Sequence, residues 1–392
     1  MKLIAGLDEA LSARRAAGLE RRREAMQSPQ GPRITVGGRE LVAFASNDYL
    51  GLANDPALLA AARDAVPRWG VGAGASHLIC GHFAPHELLE AELAAFVAPC
   101  ADARALTFSS GYLANLAILS SLAGRSDAIF ADKLNHACLN DGALLARANF
   151  VRYAHGDVAA LERRLAGSKS AHKIIATDAV FSMDGDLAPL PRLLELADRH
   201  DAWLVVDDAH GFGVLGDGRG SLAHFSLQSA RIIHMGTLGK AAGVAGAFVA
   251  AHPSVIETLI QTARPYIYTT AAPPLLAAAL RVALAIIRDD AGRRARLARS
   301  ITQFRDGARC LPWPLLPSPT AIQPLIVGDS RAAMDIAAAL RERGFWVPAI
   351  RPPTVPQGTA RLRVSLSAAH TEDDVAALIT ALHAIAGIAT GK

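Results

Sequence analysis

The sequence predicts an α/β protein: a large, mostly parallel seven-stranded sheet domain followed by a smaller α+β domain. Three observations carry that expectation. Seven short apolar runs alternate with helical stretches over residues 55–290, the pattern of a sheet covered on both faces. The runs are continuous in hydrophobicity, as strands buried on both faces are. The length of 392 residues, 51% hydrophobic and 19% charged, suffices for one large core and a second smaller one.

In chain order, residues 1–45 read as an N-terminal helix, Leu7 to Met26, followed by a hairpin. Ile34 to Val36 and Leu41 to Phe44 flank Gly37-Gly38, a pair that accepts positive φ. Residues 46–290 form the large domain. It opens on Ser46-Asn47-Asp48-Tyr49-Leu50-Gly51-Leu52, polar groups set among apolar ones, which either caps a helix or lines a pocket. Its strands are expected at Ala105 to Phe108, Ala128 to Ala131, Phe150 to Tyr153, Lys173 to Ala176, Trp203 to Val206, Ile232 to Met235 and Ala247 to Ala250. Helices are expected at Glu87 to Val97, Tyr112 to Leu122, Leu139 to Arg147 and Leu190 to His200. Residues 291–392 form the small domain, with strands at Ala321 to Val327, Phe345 to Ile350 and Leu362 to Leu366, and helices at Ala332 to Arg343 and Glu372 to Ile385. Pro348 to Pro356 cannot continue a helix and is expected as an ordered, extended loop over the active site.

Charge and composition exclude several classes. A net charge of +4, with arginines spread beside acidic partners, is not the concentrated basic face of a nucleic-acid binder; the run Arg21 to Arg23 reads as a solvated helix face. Uncharged stretches such as Ala241 to Ala251 fall short of the roughly twenty apolar residues that a bilayer needs. Asp8, Glu9, Arg14 and Arg15 interrupt any signal-peptide core. Cys80, Cys100, Cys138 and Cys310 lack a Cys-x-x-Cys pair and read as reduced thiols of a cytoplasmic protein. His77, Cys80, His82 and His86 crowd one stretch, but their spacing fits no common ligand set, so no metal is expected.

The chemistry gathers at the carboxyl ends of the strands, where ligands of open α/β sheets bind. Ser109-Ser110-Gly111-Tyr112 opens a helix after the first strand of the large domain, offering amides and a positive dipole end to a phosphate. His136 follows the second strand, and Asp207 and His210 follow the fifth. Lys240 stands alone after Ile232 to Met235 and Thr237-Leu238-Gly239, without a charged neighbour in sequence. A lysine in apolar surroundings loses solvation of its charged form and becomes a nucleophile or base. A phosphate cradle, a stacking ring, a carboxylate, an imidazole and a lysine are the set that pyridoxal 5'-phosphate needs: an imine partner, a group that keeps the ring nitrogen protonated, and a phosphate anchor.

With those residues in place, the sequence resembles the α-oxoamine synthases, fold-type I pyridoxal-phosphate enzymes that join an amino acid to an acyl thioester with loss of carbon dioxide. The resemblance covers nearly the whole chain: Leu11 to Arg23, Ser46 to Leu52, Phe181-Ser182-Met183-Asp184-Gly185-Asp186, Asp207 to Gly211, Thr237 to Lys240, Arg351 to Pro356 and Arg361-Leu362-Arg363. It implies that Lys240 carries the cofactor, Asp207 faces its ring nitrogen, His210 bonds its ring oxygen and His136 stacks on the ring. Ser182 would also touch the cofactor, with Gly111, Tyr112 and Thr237 around the phosphate or ring. It implies a homodimer, in which Thr269 or Thr270 reaches the neighbour's phosphate. Arg361 and Arg363 share one strand face by period two; the resemblance favours Arg363 as the partner of the amino acid's carboxylate. Arg21, Asn47, His136 and Thr354 are implied at the substrate.

Arg351-Pro352-Pro353-Thr354-Val355-Pro356 points, within the family, to the acyltransferase of biotin biosynthesis. The expected reaction condenses L-alanine with a pimeloyl thioester, of coenzyme A or of a carrier protein, to give 8-amino-7-oxononanoate. A glycine C-acetyltransferase-like relative would share the cofactor residues, and Pro352 to Pro356 argues against it; a non-catalytic synthase subunit could dispense with Lys240. Ala73, Ala75 and His77 depart from the family's usual small serine and glycine residues, which bears on pocket shape.

Overall fold

A computed structural model describes residues 2–16, 19–21 and 23–390. The chain divides into two compact units, Asn47–Ala298 and Met1–Ser46 with Arg299–Lys392.

Strands β1 (Arg33–Val36) and β2 (Arg39–Ala43) form the expected hairpin. Gly37 and Gly38 take φ of +57° and +73°, the positive pair that a two-residue turn matched to strand twist requires. The N-terminal helix differs from expectation. It spans Lys2–Ala16 and ends with Arg14 and Arg15 in its last turn, cations that suit a helix C-terminus. Ala17, Gly18 and Arg22, part of the expected helix, lie outside the described residues. Arg21 is exposed and non-helical, and Met26 bridges Val36 instead of continuing a helix.

The Asn47–Ala298 unit carries all seven expected strands: β3 (Arg104–Phe108), β4 (Ala128–Asp132), β5 (Asn149–Tyr153), β6 (Lys173–Asp178), β7 (Ala202–Asp207), β8 (Ile232–Thr237) and β9 (Ala247–Ala251). They form one sheet in the order β3-β9-β8-β7-β6-β4-β5. Only β9 runs antiparallel to its neighbours. β4, β8 and β9 are buried along their whole length, because apolar layers cover both faces. Ile118, Leu119, Val249 and Ile256 belong to one layer; Phe130, Phe181, Leu193 and Val206 belong to the other. Each such side chain, fully buried, contributes about 1.5–3 kcal/mol.

Parallel pairing sends the carboxyl ends of neighbouring strands to one edge. Asp178 ends β6 directly opposite Asp207 at the end of β7, and Asp132 and Thr237 end β4 and β8. Helices start immediately beyond: Gly111–Leu122, capped by Ser110 Oγ, which accepts the Leu113 N–H, and Ala137–Ala146, capped by His136. His155 ties this edge together. Its Nδ1 lies 3.1 Å from Asp132 Oδ1 and its Nε2 2.9 Å from Asp186 Oδ2, so it links the end of β4 to the turn that carries Ser182.

The remaining strands, β10 (Ile322–Gly328), β11 (Phe345–Trp346), β12 (Ala349–Ile350) and β13 (Ala360–Ser365), belong to the other unit. The single strand expected from Phe345 to Ile350 is two: β11 joins the hairpin sheet and β12 pairs with β13. Pro348 between them lacks the N–H needed to continue a ladder, while its carbonyl accepts the Arg363 N–H at 3.1 Å. The proline-rich stretch beyond is not simply extended, since Thr354 N–H closes a turn onto Arg351 C=O at 3.1 Å.

Hydrogen bonds to Asp132 and Asp186 push the His155 pKa up to about 10, against the effect of its burial. A raised folded-state value stabilises the fold fully below the unfolded imidazole's 6.5 and loses that stabilisation as pH rises through about 10. His155→Gln should therefore lower Tm most at mildly acidic pH, with the gap to the parent protein narrowing steadily between neutral pH and pH about 10; melting curves across that range check it.

Candidate functional site

A cavity of about 200 Å3 opens at the carboxyl edge of the large sheet. Lys240 reaches it from the turn between β8 and β9. That turn is held by Leu238 N–H to Gly246 C=O at 2.8 Å and Gly243 N–H to Lys240 C=O at 2.9 Å. Gly243 has φ of +73°, and a Cβ there would overlap the backbone of Leu52 and Ala53, so only glycine closes the turn at this spacing.

Lys240 Nζ lies 2.8 Å from His210 Nε2, and His210 Nδ1 lies 2.6 Å from the Tyr49 hydroxyl, which donates to Asn47 Oδ1 at 3.1 Å. The directions are set by the far end: a hydroxyl that donates to an amide oxygen receives from Nδ1–H, which leaves Nε2 as the acceptor facing the lysine amine.

Asp207 is buried, and each of its oxygens has a donor: the Ala209 N–H to Oδ1 at 3.0 Å and Asn115 Nδ2 to Oδ2 at 2.6 Å. Burial raises its pKa, while the nearby Lys240 charge and these donors pull it down. Asp178, facing it across the strand pair, is raised well above the carboxylate range by burial and by the Asp207 charge. Two adjacent carboxyls in a dry site do not both ionise readily. The Asp178 oxygens also receive the His136 backbone N–H at 3.1 and 3.2 Å.

His136 lines the cavity with its pKa lowered by burial, so its imidazole is neutral. Gly111 and Tyr112 bring the N-terminal end of their helix to the wall, and the Tyr112 hydroxyl is bonded to Asp141. Ser182 and Thr237 complete the expected set. Ser182 sits on a turn closed by Gly185 N–H to Phe181 C=O at 2.7 Å, and the Thr237 hydroxyl donates to Gly246 C=O at 3.1 Å.

Thr269 and Thr270 are not among the residues lining this cavity; Thr270 is exposed and bridges Ser76. Arg21, Thr354 and Arg363 belong to the other unit. Arg21 and Thr354 are exposed there. Arg363 is buried on β13 and donates to Ser365 Oγ at 2.7 Å, and Arg361 on the same strand is equally buried and donates to Thr359 C=O at 3.1 Å. Cys138, Asp178 and Asn115 are cavity or supporting residues that sequence reasoning missed. Cys138 follows His136 by two positions; Asp178 lies just past an expected strand end; Asn115 is a polar residue inside an apolar helix.

The fold also gathers ligand atoms of His77, His82 and His86 within 4.8 Å of one another, because the turn over His77–Gly81 folds back on itself. Burial and the neighbouring imidazoles push His77 down to about 4. Both nitrogens of His86 are engaged by backbone, Nδ1 by the Phe83 N–H and Nε2 by Ala272 C=O.

A lysine amine, a buried carboxylate and a neutral imidazole line one cavity at the carboxyl edge of this sheet, and similarities to known proteins make the chain a fold-type I pyridoxal-phosphate-dependent transferase. The model of the aminotransferase class I and II family matches residues 39–382. An 8-amino-7-oxononanoate synthase of Dechloromonas aromatica is 61% identical over 95% of this chain and 96% of its own length; one of Nitrosomonas europaea is 58% identical over 98% and 100%. Among solved structures, a serine palmitoyltransferase from S. paucimobilis with bound PLP and myriocin is similar at TM-score 0.91 and 30% identity, covering 98% of each chain. The 8-amino-7-oxononanoate synthase of Francisella tularensis is similar at TM-score 0.77 and 32% identity, covering 89% of this chain and 99% of that one. The chain thus belongs to the aminotransferase class I and II family, in its 8-amino-7-oxononanoate synthase branch. Its cofactor is pyridoxal 5'-phosphate.

The residues present fit that group. Asp207 lines the cavity, is oriented by two donors and is a carboxylate that a ring nitrogen can meet. Lys240 is the cavity's one lining primary amine, and a helix N-terminus faces the same space as a phosphate partner. Lys240→Ala should leave no covalent cofactor after borohydride reduction, read by mass spectrometry of the intact chain, and should lower turnover on the order of 10^3-fold, the scale of a lost acid-base group.

Proposed function

We propose that this chain is an acyltransferase of biotin biosynthesis that joins L-alanine to a pimeloyl thioester, as the names of its relatives suggest. The observation that carries the reading is the convergence of Lys240, Asp207 and His136 on one cavity in a chain 61% identical to an 8-amino-7-oxononanoate synthase over nearly its full length. A carbon–carbon bond forms between the alanine α-carbon and the thioester carbonyl carbon, the carbon–sulfur bond breaks and the thiol carrier leaves. The alanine carboxyl departs as carbon dioxide, and the α-carbon takes a proton to give 8-amino-7-oxononanoate.

When bound, the cofactor supplies a sink for negative charge at the α-carbon. Lys240 would hold the resting cofactor covalently and, once its amine is freed by the incoming amino acid, would be the base that takes the α-proton. Asp207 keeps the ring nitrogen protonated, since an adjacent negative charge raises a cation's pKa. His210, supported by Tyr49, would bond the ring oxygen, and His136 would pack on the ring and move a proton near the thioester carbonyl. Ser182, Gly111, Tyr112 and Thr237 hold the phosphate and ring edge. Arg363 binds the alanine carboxylate through its planar fork, while Arg21, Asn47 and Thr354 receive the acyl substrate.

A homodimer belongs to this reading. Leu3, Ile4, Leu7 and Leu11 form an exposed apolar stripe on the first helix, and Val71, Ile79, Leu144 and Tyr268 are exposed on the other unit. Patches of this kind mark interaction surfaces. Thr269 or Thr270, next to Tyr268 in the chain, would reach the neighbour's phosphate. No helix among the described residues is long and apolar enough to cross a membrane, and the four unpaired cysteines suit the cytoplasm.

The test is incubation of the purified protein with alanine and, separately, pimeloyl-coenzyme A, a pimeloyl carrier protein and acetyl-coenzyme A, with products identified by mass spectrometry. 8-Amino-7-oxononanoate from a pimeloyl donor is expected, and the two pimeloyl arms tell the carriers apart; preference for glycine and the acetyl donor would overturn the reading. Arg363→Lys should raise the alanine KM about tenfold or more, because lysine cannot make the bidentate contact, while cofactor absorbance stays. Arg21→Ala should reduce the preference for pimeloyl over an uncharged acyl thioester of equal length, since a distal carboxylate needs a partner on burial; competition kinetics reads it.

A further inference from the structure

We infer that Asn115 and Cys138 form a hydrogen-bonded relay joining Asp207 to His136, which holds the His136 imidazole as its neutral Nε2–H tautomer. Both are positioning residues for proton transfer. Asn115 is completely buried in the first turns of its helix. One N–H of its amide points to Asp207 Oδ2 at 2.6 Å and the other to Cys138 Sγ at 3.1 Å. Cys138 Sγ lies 2.8 Å from His136 Nδ1, and the Cys138 backbone N–H donates to the same nitrogen at 3.3 Å.

The donor directions leave one consistent assignment. A carboxylate only accepts, so Asn115 must turn its NH2 toward Asp207, and the second hydrogen then reaches the sulfur. The sulfur, already accepting, donates its S–H onward. Burial and the Asp207 charge push the Cys138 thiol up to about 12, so it carries that hydrogen at neutral pH. His136 Nδ1 receives both the S–H and the backbone N–H and is therefore unprotonated; the ring's one proton sits on Nε2. The charged groups acting on His136 are Asp207, Lys240 and Asp141.

A second observation supports the relay. Asn115 Oδ1 is buried without a hydrogen-bond partner. A native fold rarely leaves such an atom unsatisfied. Flipping the amide would offer the oxygen to neighbours but set it against the Asp207 carboxylate. The orphan marks the amide as oriented for its two N–H groups.

The inference rests on the proposed function only in giving the Nε2 proton a use; the tautomer is readable without turnover. The experiment uses full-length, cofactor-loaded protein labelled with 15N-histidine, with the His136 signals assigned by their loss in His136→Asn. The parent protein should show a neutral ring protonated at Nε2. Cys138→Ser, which keeps a donor, should retain that state. Cys138→Ala should raise the Nδ1–H population and lower kcat about three- to tenfold, the worth of one hydrogen bond, with cofactor affinity held. Asn115→Leu, which keeps the volume but donates nothing, should shift the tautomer and also weaken cofactor binding, because Asp207 loses a donor. A parent ring protonated at Nδ1, or a Cys138→Ala tautomer indistinguishable from the parent's, overturns the relay. If the parent makes no 8-amino-7-oxononanoate while its Nε2 proton is in place, the functional reading fails and the relay stands.

Discussion

A carboxylate that must remain charged in a dry place is the constraint on which this site turns. Asp207 has little exposure, and burial alone would neutralise it. The fold counters with an oriented N–H on each oxygen and with the Lys240 charge across the cavity. Burial and the Asp207 charge push Asp178 beside it well above the carboxylate range. Much of the surrounding polar structure can be understood as keeping these two carboxyls unequal, which is how one environment assigns different protonation states to like groups.

The sheet makes that arrangement possible. Residues far apart in sequence meet because parallel strands deliver their carboxyl ends to one edge, and the register of β6 on β7 sets Asp178 against Asp207 without any loop having to do so. Loops then need only short reach. The Lys240 turn is closed by three backbone hydrogen bonds and one glycine, and His136 begins its helix as the cap. His155, charged by the carboxylates on either side of it, binds the Ser182 turn to the same edge.

Which parts were legible in the sequence follows from which forces act locally. The seven strands were, since each is a continuous apolar run, and their ends pointed to Lys240, Asp207, His136 and His210. Gly37-Gly38 announced its turn because two successive positive φ values admit few residues. Three-dimensional neighbours left no such trace. Asn115 and Cys138 matter through contacts with Asp207 and His136 that no spacing encodes, and the three histidines of the 77–86 segment meet only because a tight turn folds them together. The division of Phe345 to Ile350 between two sheets was signalled by Pro348, whose missing N–H outweighs the apolar character of the run. The early end of the first helix had a weaker signal, the basic pair Arg14 and Arg15 at its last turn.

We propose that buried Asp207 stays ionised and thereby keeps the cofactor's ring nitrogen protonated. Ring-15N-labelled pyridoxal 5'-phosphate, loaded into the protein and observed by nitrogen NMR at neutral pH, tests it most directly. A protonated ring nitrogen is expected in the parent protein and an unprotonated one in Asp207→Ala at equal cofactor occupancy. An unprotonated nitrogen in the parent, or the same protonated signal in both, would contradict it.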